Sequence, residues 1–169
     1  YRGTPENETI AQLSVGGGTG SNNRGFFEQS SGDLTITGDL VAGRNDSSGD
    51  GYVTVTGGTR SVQGKMELGT TNSGADGALI IDGAEVSVAG DLRLGGWNTS
   101  GAMLRFHNPG SAPAVQVGGT LFLGRAVLNL TFDSSYQHDP DGADIPLVEY
   151  ATRDAQFLNF RQGDEFNCG

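Results

Sequence analysis

Three aspartates in one acidic segment are the residues whose type and spacing best suit metal binding. Asp139, Asp141 and Asp144 stand in the sequence His-Asp-Pro-Asp-Gly-Ala-Asp, where the glycine permits a sharp turn. Calcium binds several carboxylate oxygens at such close spacing, so the segment is a candidate calcium loop, and calcium is the only cofactor that the sequence suggests. The segment lacks the complete ligand set of an EF-hand, and a solvated acidic turn is the alternative interpretation.

Four asparagines begin the Asn-x-Ser/Thr pattern that can accept an N-linked glycan. They are Asn7, Asn45, Asn98 and Asn129. All four fall in expected loops or at outward strand positions, which makes them candidate glycosylation sites. An unmodified surface asparagine is the alternative interpretation of each, because serine and threonine are frequent in this chain.

The sequence offers no nucleophile or phosphate-binding motif in the context that such chemistry requires. The three glycines at 16–18 precede a polar loop and not a helix, which argues against a phosphate-binding loop. His107 and His138 have no evident partner, and the single cysteine, Cys168, excludes an internal disulfide. We therefore predict that the protein is not an enzyme.

Charge and hydropathy exclude two classes of partner. The net charge is -10, so a polyanion such as a nucleic acid would be repelled. No run of 18 apolar residues occurs, so no transmembrane segment is expected. With 169 residues, the chain has the length of one domain with its own core.

A repeated segment organises the chain and must position these residues. It reads Thr-Ile-Thr-Gly-Asp-Leu-Val-Ala-Gly in its first clear copy, and it occurs at 35–43, 61–69, 87–95 and 116–124. Its central glycines are Gly38, Gly64, Gly90 and Gly119. They are spaced 26, 26 and 29 residues apart, a period typical of solenoids, and a weaker copy begins at Leu13.

Apolar and polar residues alternate within each repeat, which predicts half-buried strands and no helix. We predict an all-β, right-handed parallel β-helix (β-solenoid) of about five coils of 26–29 residues, with three short strands per coil and a C-terminal β cap. One predicted interior column contains Ile36, Val62, Val88 and Val117. Charged outward residues of adjacent coils are expected to pair, Lys65 with Asp39 and Asp91, and Glu67 with Arg93.

From residue 11 to about 132 the chain repeats a pattern of strand, glycine, Asp-Leu-x-Leu-Gly and polar loop. This pattern resembles the autotransporter-type or PEP-CTERM-associated β-strand repeats of secreted bacterial proteins. The resemblance implies a parallel β-helix displayed on, or shed from, a bacterial surface. It specifies architecture well and activity poorly. The chain differs from that group because it has neither a membrane β-barrel nor a C-terminal sorting helix, and we interpret it as a processed chain or a fragment.

The two ends of the predicted solenoid differ from each other. We divide the chain into an N-terminal extension (1–9), solenoid coils (10–132) and a C-terminal cap or assembly segment (133–169). Unpaired backbone groups at solenoid ends must be capped or will pair with another chain. The candidate assembly residues are Ile10, Leu13, Val15, Phe157, Phe160 and Cys168.

The function predicted from these features is that of a non-enzymatic, secreted or cell-surface structural protein. It would be a subunit of a head-to-tail polymer such as a filament, fibre or surface layer, or an adhesin. The alternative is a carbohydrate-active β-helix enzyme of the polysaccharide lyase type, or a module that binds surface glycans. Against an enzyme, the charges on the outward columns are expected to neutralise one another and not to converge on a substrate.

Overall fold

The computed structural model describes residues 7–16, 24–43, 49–69, 75–96, 101–109, 114–134 and 146–159. Within these ranges every regular element is a β-strand, and the strands stack in parallel as a solenoid of about four turns. The predicted all-β parallel β-helix is therefore confirmed. No helix in the described part of the chain is long and apolar enough to cross a membrane.

Each turn contributes one strand to each of three faces. Face 1 consists of β3 (Arg24–Gln29), β6 (Asp50–Val55), β9 (Gly77–Asp82), β12 (Ala102–His107) and β14 (Ala126–Thr131). Face 2 consists of β1 (Glu8–Ile10), β4 (Asp33–Ile36), β7 (Thr59–Val62), β10 (Glu85–Val88) and the first part of β13 (Val115–Leu123). Face 3 consists of β2 (Leu13–Val15), β5 (Leu40–Ala42), β8 (Met66–Leu68), β11 (Leu92–Leu94) and the last part of β13.

Equivalent residues of successive turns lie directly above one another. On face 2 the register joins Ile36 to Val62, Val62 to Val88 and Val88 to Val117, as the sequence predicts. On face 3 it joins Leu40, Met66, Leu92 and Leu121. These columns point inward and are almost fully buried, so the core is a continuous apolar stack along the solenoid axis.

The glycine column between faces 2 and 3 is required by close backbone contact. The Gly64 N–H donates to the Gly38 carbonyl at 3.0 Å, and the Gly90 N–H donates to the Gly64 carbonyl at 3.0 Å. A Cβ atom on Gly90 would lie 2.7 Å from the Gly64 carbonyl oxygen, which is too close for any side chain. The repeated glycines therefore fix the corner by allowing one turn to hydrogen-bond the next.

Charged residues near this corner do not pair as expected from the sequence. Asp39 Oδ1 accepts the backbone N–H of Lys65 at 3.0 Å, and Lys65 Nζ binds Glu67 on its own turn at 3.0 Å. Arg93 likewise lies 3.6 Å from Asp91 within one turn. The prediction of side-chain ion pairs between turns is wrong here, because the aspartate carboxylates are used to bind backbone donors of the following turn.

The C-terminal segment continues the solenoid. β15 (Val148–Arg153) pairs in parallel with β13, with Val148 beside Val115 and Tyr150 beside Val117. The cap is therefore itself another strand of the sheet, and the boundary placed at residue 132 falls inside the stacked region. At the other end, β1 begins at Glu8 and pairs with β4, so the stack also starts before residue 10.

Candidate functional site

Several residues singled out in the sequence lie outside the described part of the structure. These are the aspartates of the candidate calcium loop (Asp139, Asp141 and Asp144), two sequon asparagines (Asn45 and Asn98) and two assembly residues (Phe160 and Cys168). Within the described ranges, no group of three or more His, Cys, Asp or Glu side chains could hold a metal ion. Of the two described sequon asparagines, Asn7 is exposed and Asn129 is half-buried on β14.

The four described assembly residues contact the protein's own core. Val15 is buried, and Ile10, Leu13 and Phe157 pack against the apolar stack while keeping partial exposure. These side chains close the two ends of the core. Their role in contacts between copies stays a prediction.

Exposed large apolar side chains of the described residues occur only near the ends of the solenoid. Phe26, on the first strand of face 1, is 67% exposed, and its ring stacks on Tyr52 at 5.1 Å between centroids. At the opposite end, Val127 on β14 is 38% exposed and Leu158 is 63% exposed. Phe26 and Val127 begin and end the same outward column of face 1. That column thus has an apolar residue at each end, both open to solvent.

Side chains partly cap the C-terminal end. Asn159 Oδ1 accepts the Leu128 N–H at 2.9 Å, and its Nδ2 donates to the Leu128 carbonyl at 2.6 Å. The Leu158 N–H donates to the Ala126 carbonyl at 2.8 Å. One side-chain amide therefore satisfies backbone groups that an added strand would otherwise bind.

The N-terminal end of the solenoid differs. Each strand there, β1, β2 and β3, is paired on one side only among the described residues.

A groove of about 420 Å³ lies on the outer side of face 3 at its C-terminal end, and we call it the face 3 groove. The residues that line it include Glu67, Arg93, Phe122, Arg125 and Asp154. Two cations and two carboxylates therefore converge on one concave surface. The predicted outward columns did not include Arg125 or Asp154, so sequence reasoning missed this group of charges.

Among the described residues, Arg60 is an arginine buried in the interior, and sequence reasoning missed it. Arg60 is only 1% exposed, in the column that also contains Leu34 and Val86. Its Nε and Nη2 donate to Gln29 Oε1 at 3.2 and 2.8 Å, and its guanidinium lies 4.3 Å from the centre of the Phe27 ring. Nη1 is buried without a hydrogen-bond partner.

Burial lowers the pKa of Arg60 to about 9, because the interior disfavours the charged form. Alignment of the repeats could have found this residue, since Arg60 lies between Leu34 and Val86 in an inward column. Gln29 also donates to the Gly32 and Thr59 carbonyls, at 2.7 and 3.0 Å. The pair therefore stabilises a bend as well as filling the core.

His107 and Thr131 on face 1 lie as close together as a catalytic base and its nucleophile, but their hydrogen bonds do not suit those roles. His107 Nδ1 lies 3.0 Å from Thr131 Oγ1, which contradicts the expectation that His107 has no partner. Asp133 fixes the orientation of the Asn108 amide, since its carboxylate accepts from Asn108 Nδ2 at 2.8 Å and its N–H donates to Asn108 Oδ1 at 3.1 Å.

The orientation of Asn108 determines which histidine nitrogen carries the proton. Asn108 Nδ2 also lies 3.2 Å from His107 Nε2, so the neutral imidazole accepts there and carries its proton on Nδ1. The Nδ1–H then donates to Thr131 Oγ1, whose own proton is directed to the Phe106 carbonyl at 3.3 Å. In this arrangement the histidine does not act as a base toward the threonine hydroxyl.

No protein-family model, curated protein or solved structure matches this chain. The resemblance to autotransporter-type or PEP-CTERM-associated repeats therefore stays a hypothesis, and only the solenoid architecture that it implies is confirmed.

Proposed function

We propose that the protein is a non-enzymatic, extracellular structural subunit that associates head to tail with further copies of itself. The observation that carries the proposal is the location of its exposed apolar side chains. Phe26 lies at one end of the solenoid, and Val127 and Leu158 lie at the other. When two copies stack along the axis, these two surfaces face each other.

The strands at the two edges of the solenoid also support head-to-tail stacking along its axis. The parallel order of the strands allows β15 of one copy to pair with β1 and β2 of the next at the usual strand spacing of about 4.8 Å. On face 1, Leu158 and Asn159 already bind the backbone of β14, so contact there uses side chains. Burial of one phenylalanine side chain contributes about 1.5–3 kcal/mol. Because the two contacting surfaces differ, repetition gives an open polymer.

The net charge sets a condition for association. At -10, copies repel one another, and this repulsion is screened when salt is added. Association through apolar ends should therefore become stronger as ionic strength rises. Association through charge pairing would instead become weaker as ionic strength rises. Measuring association at several salt concentrations therefore distinguishes the two modes of association.

The test is light scattering and electron microscopy of the purified chain over a range of protein and salt concentrations. We expect mass to grow with concentration, with end-to-end particles at high salt. Phe26→Ser and Leu158→Ser should each weaken growth, while Met103→Ser should not, because Met103 lies mid-column on the same face. A wild-type chain that stays monomeric at high concentration and high salt would refute the proposal.

A further inference from the structure

We propose that the face 3 groove is a binding site for a neutral saccharide, an assignment that is independent of the proposed self-association. The groove volume of about 420 Å³ falls within the range of about 300–1,000 Å³ that is usual for small-ligand sites. None of its lining residues is Phe26, Val127 or Leu158, so it is a different surface from the apolar ends.

Three glycines, Gly95, Gly96 and Gly124, are among the residues that line the groove. Gly95 has a φ of +77°, and a Cβ atom there would lie 2.6 Å from the Arg125 nitrogen. A Cβ atom on Gly124 would lie 2.9 Å from the Gly95 carbonyl oxygen. Adjacent turns thus approach so closely that neither position accepts a side chain. The stacking of the turns therefore requires glycine at both positions, and neither residue adds a side chain to the groove.

One wall supplies an apolar surface of fixed orientation. The Phe122 ring is half-buried, and the Arg93 guanidinium stacks on it 4.3 Å from the ring centre. Arg93 is also 3.6 Å from Asp91, which holds it over the ring. An aromatic ring beside convergent polar groups suits a ligand with an apolar ring face and polar edges.

The carboxylates around the groove are held by one oxygen each. Glu67 Oε1 binds Lys65 Nζ at 3.0 Å, and Asp154 Oδ1 accepts the Leu123 N–H at 2.8 Å. Each carboxylate has a second oxygen that can accept a hydrogen bond from a hydroxyl group. Arg93 and Arg125 provide donors on the same surface, and the Arg125 side chain is exposed. The two carboxylates are therefore oriented before a ligand binds.

The balance of charge favours a neutral ligand over an anion or a cation. The groove combines two guanidinium groups with two carboxylates, so an ion of either sign would meet like charge. The net charge of -10 additionally repels anions at long range. A polyhydroxylated ring uses donors and acceptors alike, and its apolar face can contact the part of the Phe122 ring that Arg93 leaves uncovered. A saccharide of this kind would let the solenoid attach to a glycan surface.

The test is titration of the full chain by calorimetry with neutral oligosaccharides built from glucose, mannose, galactose, xylose or N-acetylglucosamine. Oligogalacturonate and inorganic phosphate serve as anionic comparisons. We expect saturable binding of at least one neutral series. Phe122→Ala should weaken it at least tenfold and Arg125→Ala several-fold, while the matched control Tyr52→Ala on face 1 should not change it.

Three results would overturn the assignment. They are the absence of saturable binding by every neutral series, binding by the anions alone, and binding that survives Phe122→Ala and Arg125→Ala unchanged. Circular dichroism of each variant separates lost binding from lost folding. Phe26→Ser should leave saccharide binding intact. An experiment that refutes self-association is therefore distinguishable from one that refutes saccharide binding.

Discussion

Replacing the buried arginine by leucine should leave the protein as stable as before or stabilise it slightly. A leucine at position 60 would continue the apolar column of Leu34 and Val86. Burial lowers the pKa of Arg60 to about 9, well below its ordinary value, and this shift corresponds to about 5 kcal/mol acting against the charged form in the folded state. Arg60→Leu removes that cost.

Arg60→Leu also removes two favourable interactions of the guanidinium, and their loss opposes this gain in stability. Gln29 Oε1 accepts both arginine hydrogen bonds, and leaving this buried acceptor without a donor costs about 1–3 kcal/mol. Loss of the contact between the cation and the Phe27 ring costs about 2 kcal/mol more. The net expectation for Arg60→Leu is a gain of about 0–2 kcal/mol. A matched control in the same column, Leu34→Ala, should cost about 2–5 kcal/mol.

Urea unfolding followed by circular dichroism measures both changes at pH 7. The comparison is then repeated at higher pH, because the folded pKa of Arg60 lies below its unfolded value. Above about pH 9, and up to the ordinary pKa of arginine, the unfolded chain binds more protons at this residue than the folded chain, so wild-type stability rises relative to Arg60→Leu. The advantage of the variant should shrink from pH 8 to pH 10. A variant destabilised by more than about 2 kcal/mol at pH 7 would refute the reasoning.

Two further substitutions test the corner and the cap. Gly90→Ala should destabilise the fold more than Gly83→Ala in thermal or urea unfolding, because its Cβ would meet the Gly64 carbonyl oxygen, whereas nothing lies within 4 Å of a Cβ on Gly83. The positive φ of Gly83 alone costs about 1–2 kcal/mol, so equal losses would contradict the steric argument. Asn159→Leu removes both bonds to Leu128 and should lower stability by about 1–3 kcal/mol and increase aggregation. Asn159→Asp keeps the acceptor and should have an intermediate effect; unchanged unfolding in both variants would rule out a capping role.

The repeat was predictable from sequence because stacking imposes it in the same way on every turn. In a parallel sheet each interior residue contacts its equivalents one turn above and below, so Val62 and Val88 must both be apolar and similar in size. Backbone contact at the corner likewise requires glycine at 38, 64 and 90. These constraints recur every turn, and a recurring constraint leaves a periodic pattern that can be recognised without a structure.

The face 3 groove could not be predicted in the same way, because it breaks the period. Asp154 reaches it only because β15 rejoins the sheet beside β13 after a long connection, and residue spacing does not reveal that return.

The hydrogen bonds of Asp39 could not be predicted from the sequence for a different reason. An aspartate near a lysine suggests an ion pair, yet the corner brings the Lys65 backbone N–H nearer to the carboxylate than the distant ammonium group.

The outward column of face 1 shows why the ends of this solenoid are informative. An outward residue need not be apolar to form the sheet, yet Phe26, Tyr52, Ala78, Met103 and Val127 follow one another along the whole column. Within the column each side chain is covered on both sides by its neighbours, and Ala78 is 2% exposed. The first and last members, Phe26 and Val127, each have a neighbour within the column on one side only and remain exposed. In the proposed polymer, a second copy stacked on the axis would cover Phe26 and Val127 without disturbing the middle of the column.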